Sequence, residues 1–123
     1  MSELPAAAAA ELAAQLAALG EEFQRSLPGR IGDIETALIA LGTDCEHQQQ
    51  AALRELRDAA HRLAGAAGTF GHPLLAATAS EIEQLAQQLG ADPAAPADGA
   101  QEAFTGLLAG LNRALATDEG ARK

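Results

Sequence analysis

Apolar residues recur along this chain at intervals of three and four, the period of a helix, and glycine and proline punctuation divides them into five segments. From Leu4 to Leu27 the stripe is Leu12, Leu16, Leu19, Phe23 and Leu27, with Gly20 a candidate bend or break. Pro28, a residue suited to a first helical turn, restarts the pattern with Ile31, Ile34, Leu38 and Leu41 until Gly42 ends it. Thr43 and Glu46 have the spacing of a capping box, and Leu53, Leu56, Ala60, Leu63, Ala67 and Phe70 follow without a slip. That helix is about 25 residues, or roughly 37 Å. Gly71-His72-Pro73 turns the chain into a stripe of Leu75, Thr78, Ile82, Leu85 and Leu89, closed by Gly90. A proline-bearing loop over residues 91–97 leads to Asp98 and Gln101, a second capping-box pattern, and to Phe104, Leu108, Leu111 and Leu115. The architecture expected is all-α: an up-down four-helix bundle with an additional N-terminal helix, packed across it as a cap or a fifth member. One domain spans 1–123, with its core over about 20–116 and a frayed tail over 117–123.

Composition narrows this further. Thirty-two alanines and 18 leucines against four isoleucines and no valine, tryptophan or tyrosine leave little from which to build a sheet. The core is thin, and Ala-faced helices must pack closely to fill it. Glu11, Gln15, Glu21 and Glu22 interrupt the first Ala-rich run, so a membrane-spanning helix is not expected. The same run lacks the leading positive charge of a signal peptide, which predicts a soluble, unexported chain. A single cysteine, Cys45, forms no internal disulfide and fits a reducing cytoplasm. The net charge of −9 argues against nucleic acid or anionic lipid as partner. Residues 1–50, 51–72 and 73–123 carry −6, +1 and −4, so the one stretch that is not acidic lies between Ala51 and His72.

Most enzymatic chemistries lack their parts. Lys123 is the only lysine, which removes a phosphate-loop lysine, a Schiff base and a kinase lysine, and Ser2, Ser26 and Ser80 are not in a nucleophile-elbow context. His47 and His61 stand 14 positions apart on one expected helix, about 21 Å, too far to share a metal. His61 has unusual neighbours. At about 100° per residue, Arg54, Arg57, Gly65 and Gly68 all fall within about 40° of it, away from the inward stripe of Ala60, Leu63 and Ala67. The stripe therefore puts His61 on the outer surface, with two arginines toward the helix start and two glycines toward its end. Each internal glycine costs about 1 kcal/mol relative to alanine. Missing side chains would let a partner's reactive atom come close to an imidazole whose unprotonated nitrogen is a nucleophile near neutral pH, with Arg57 supplying charge for phosphoryl transfer. Two plainer readings stand beside this: an incidental surface histidine, and glycines that serve close helix packing. His47 reads as a solvated first-turn residue, His72 as a cap residue or neighbour of a docking face, and Cys45 as a loop or first-turn thiol.

The run His61-Arg62-Leu63-Ala64-Gly65-Ala66-Ala67-Gly68-Thr69-Phe70-Gly71 resembles the motif of histidine-containing phosphotransfer (HPt) domains. A weaker resemblance extends over residues 20–115, through Phe23, Leu27-Pro28, Ile34, Leu38 and the helix Leu74–Leu89. The resemblance implies a cytoplasmic, monomeric intermediate of a bacterial two-component phosphorelay. Its histidine accepts a phosphoryl group from a receiver-domain aspartyl phosphate and passes it to another receiver. Such a protein is a phosphocarrier and not an enzyme with its own catalytic machinery. It implies His61 as the phosphoacceptor, Gly65 and Gly68 as docking positions with Arg54 and Ala64 beside them, and Leu63 and Phe70 as core. The family usually has Lys or Arg three residues after the histidine, where this chain has Ala64; Arg57 or Arg62 would substitute, although Arg62 is expected to pair with Asp58 one turn away. Glu83, Gln84 and Gln87 are the candidates for the polar group that the family often sets against the histidine from the next helix. No cofactor is expected in this chain, the Mg²⁺ belonging to the receiver. The partners expected are response-regulator receivers and a hybrid histidine kinase, not nucleic acid or membrane. The competing reading, favoured by Ala64, is a helical binding module without phosphate chemistry, including a degenerate HPt domain that inhibits a receiver. An autophosphorylating kinase fragment lacks support, because no ATP-binding segment is present.

Overall fold

The structure, a computed structural model, describes residues 6–42, 46–91 and 100–121. They form four helices: α1 (Ala6–Leu41), α2 (Glu46–Thr69), α3 (Pro73–Ala91) and α4 (Ala100–Ala121). Each packs on the next and α1 also meets α4, which closes an all-α up-down bundle. No described helix is long and apolar enough to cross a membrane. Both capping-box patterns, at Thr43 and Asp98, and Cys45 lie outside the described residues.

The additional N-terminal helix is not a separate element. Leu4–Leu27 and the segment after Pro28 were expected as two helices, yet α1 runs 36 residues with Pro28 inside it. The core stripe of Phe23, Leu27, Ile31, Ile34 and Leu38 crosses Pro28 without losing the helical period, so burial holds both halves in one continuous helix. An interior proline costs about 3 kcal/mol, and fully burying one Leu or Ile returns about 1.5–3 kcal/mol. Just before the proline, Ser26 Oγ donates to the Phe23 carbonyl at 2.6 Å and Arg30 Nε donates to Ser26 Oγ at 2.8 Å, with the Arg30 guanidinium over the Phe23 ring. Gly20 does not break the helix either: a Cβ there would make ordinary contact with Phe70 at 3.7 Å. Leu12, Leu16 and Leu19, the start of the stripe on the segment expected to pack across the bundle, are exposed, because the other three helices end below them.

The α2–α3 turn follows from its sequence. Gly71 takes a positive φ of 77°, which glycine adopts without a Cβ penalty. The His72 amide then donates back to the Ala67 carbonyl at 2.8 Å, closing α2 with a Schellman bond, and the His72 carbonyl accepts from Ala76 at 2.9 Å to open α3 behind Pro73. His72 is thus a cap residue by its backbone, while its ring is fully buried, edge-on to Phe23 at 5.4 Å between centroids. A first-turn N–H of α3, that of Leu75, is satisfied from another helix: it donates to the buried Asp118 carboxylate at 3.1 Å. Residues 117–121, expected as part of a frayed tail, are therefore helical, with Asp118 drawn inward to that N–H.

Candidate functional site

On α2, the residues Leu53, Leu56, Ala60, Leu63 and Ala67 are buried, and that choice of inner face dictates the outer one. Arg54, Arg57, His61, Gly65 and Gly68 all lie on the exposed side, with Ala64 half-buried next to them. The His61 side chain is 73% exposed. A Cβ added at Gly65 or Gly68 would meet nothing within 4 Å, so neither glycine serves helix packing. What the glycines leave is an open, shallow surface of helix backbone directly after the imidazole.

His61 is held from behind. Its Nδ1 lies 2.9 Å from Oε1 of Glu83 on α3, whose side chain is 24% exposed. A carboxylate only accepts, so the contact is a hydrogen bond when Nδ1 carries the proton, and the ring lone pair then sits on Nε2. Of the three residues left open by sequence, Glu83 is the one in contact. Gln87 instead lines a groove one turn along with Arg54 and Arg57. The chain gives the height of Glu83 and no more: the tight turn mirrors α2 onto α3 about His72, and His61 and Glu83 are each 11 positions from it, while the rotation of α3 selects Glu83 over its neighbours.

The arginines are arranged differently from expectation. Asp58 is paired with its neighbour Arg57, Nη2 to Oδ1 at 3.4 Å, and among the described residues no ion pair joins it to Arg62. Arg62 lies on the α1 side of α2, lining a groove with Ser26, Gly29, Arg30 and Asp33. The Arg57–Asp58 pair is long and solvated, worth well under about 1 kcal/mol, so the Arg57 guanidinium is free to swing to a stronger anion. Arg57 is on the same exposed face as His61 and one turn before it; Arg62 is not. His47 is exposed in the first turn of α2, on the same side of the helix but about 21 Å along it from His61.

An exposed imidazole, oriented by a carboxylate and flanked by bare helix surface, can present a ring nitrogen to a group carried on another surface. The family model of the Hpt domain matches residues 10–117, and the chain belongs to that family. Hpt domains are phosphocarrier modules of two-component phosphorelays and interact with receiver domains and kinases. No curated protein and no solved structure matches the chain.

Proposed function

We propose that this chain is a phosphorelay intermediate that takes a phosphoryl group onto Nε2 of His61 from a receiver-domain aspartyl phosphate and hands it to a second receiver. The His61–Glu83 hydrogen bond carries this reading. It orients the ring and assigns the proton to Nδ1, as a nucleophilic imidazole requires. In the accepting step Nε2 attacks phosphorus, the N–P bond forms, the P–O bond to the aspartyl oxygen breaks, and the aspartate leaves as a carboxylate. The ring becomes a phosphoimidazolium whose positive charge faces Glu83. In the reverse sense the N–P bond breaks, and because Nδ1 keeps its proton the leaving group is neutral imidazole rather than imidazolate.

The remaining roles follow from position. Gly65 and Gly68 admit the receiver surface, Arg54 and Ala64 border it, and Arg57 turns from Asp58 to the phosphoryl oxygens in place of the basic residue missing at Ala64. The receiver contributes the acidic pocket and its Mg²⁺, so this chain needs no cofactor of its own. The second reading, a receiver-binding module without phosphate transfer, is favoured by Ala64, which leaves no cation one turn after His61. Incubation with a phosphorylated receiver separates the two. An acid-labile, base-stable phosphate is expected on the parent chain and not on His61→Gln. Receiver binding without label on the parent chain would establish the second reading, and full labelling of His61→Gln would show that another residue is the acceptor.

A further inference from the structure

The first buried side chain of α1 is Phe23 and Gly20 is level with Phe70 at the end of α2, so residues 6–19 project about 21 Å beyond the bundle as an overhang. Their apolar stripe continues the core face: Leu12, Leu16 and Leu19 fall within about 60° of arc and are 48%, 54% and 49% exposed. At the foot of the overhang, Leu74 in the first turn of α3 is also exposed, at 47%, and Phe70 is half-buried against Gly20. The overhang and the bundle end thus make an apolar step. No described element of this chain covers it.

Geometry and charge select the occupant. A second copy running parallel to α1 would have to continue into the space filled by α2, α3 and α4 of the first, since the stripe faces straight over them. A second copy running antiparallel and centred on Leu16 escapes that clash. It would, however, set Glu11 of each chain beside Glu22 of the other, on two molecules that each carry −9. Between Ala6 and Gln24 the charges are these three glutamates alone, and Glu11 and Glu22 share one flank of the stripe with Gln15. The complement is a short helix, apolar on one side and basic along one edge. We propose that the α1 overhang is a docking arm for such an amphipathic helix of a partner protein. The surface is separate from His61, and its use does not depend on phosphotransfer.

The test uses the full chain and a fluorescently labelled 16-residue Leu/Lys amphipathic helical peptide, with a Leu/Glu twin of the same pattern. Sedimentation of the chain alone is expected to show a monomer. The Leu/Lys peptide is expected to bind, with affinity falling as salt is raised, and Leu16→Gln to weaken it at least tenfold with unchanged helical circular dichroism. Ile39→Gln, which alters an exposed apolar residue at the far end of α1, is expected to leave binding unchanged. Equal binding to Leu16→Gln would reduce the effect to attraction between net charges and overturn the proposal. Binding of the Leu/Glu twin as tight as that of the Leu/Lys peptide would do the same. A dimer of the parent chain that Leu16→Gln dissolves would make the stripe a self-interface, which also overturns it.

Discussion

Removing the carboxylate behind His61 tests the proposed chemistry most directly. In Glu83→Ala the imidazole keeps its place on α2 but loses the group that holds Nδ1–H at 2.9 Å. A hydrogen bond to a charged group is worth about 1.5–3 kcal/mol. Here the histidine is 73% and the glutamate 24% exposed, so solvent screens part of that and about 1–2 kcal/mol is the appropriate range. The bond is already made to the neutral ring and strengthens as the ring gains positive charge; only that increase enters the barrier, so transfer should slow measurably and by at most about 5–30-fold. Glu83→Gln retains an acceptor oxygen without the charge and should fall between the parent and Glu83→Ala. Single-turnover transfer from a phosphorylated receiver, followed by the appearance of base-stable phosphate on this chain, reads the effect. Circular dichroism should be unaltered, because alanine is the better helix former and Glu83 is outside the core. Transfer by Glu83→Ala at the parent rate would show that neither the orientation nor the proton assignment of His61 comes from Glu83, and the reasoning would fail.

Two further substitutions separate docking from stability. Gly68→Ala fills open space and should raise stability by about 0.5–1 kcal/mol in a urea melt, whereas Gly68→Arg should fold yet lose receiver binding; an intact complex with the arginine variant would remove Gly68 from the docking surface. Asp118→Ala strands the buried Leu75 N–H and should cost about 1–3 kcal/mol, with Asp118→Asn recovering most of it. Thermal unfolding of the alanine variant at the parent temperature would show that this contact between helices carries no energy.

The helices and the site face were legible because both follow from local periodicity. Alanine and leucine at intervals of three and four oblige each segment to bury one side. Once Ala60, Leu63 and Ala67 are inside, His61 with Gly65 and Gly68 can only be outside. The Gly71-His72-Pro73 turn was equally local, since a positive φ and a proline at the first helical position are properties of those residues alone.

What the tertiary structure decided are the matters that depend on what lies opposite. Pro28 suits either the start of a new helix or the interior of a stabilised one, and only the helices buried against Leu27 and Ile31 make the second outcome hold. The stripe of Leu12, Leu16 and Leu19 has the same period as the core below it, and no property of α1 reveals that α2, α3 and α4 stop short of it. Glu83 is one of three polar residues near the right height on α3, and its contact with His61 depends on how two helices are rotated against each other. Asp118 reaches an orphan amide 43 positions away in sequence. Periodicity says which side of a helix is buried; what buries it, and which polar atoms meet there, depends on other parts of the chain, because those contacts join segments whose sequences carry no record of one another.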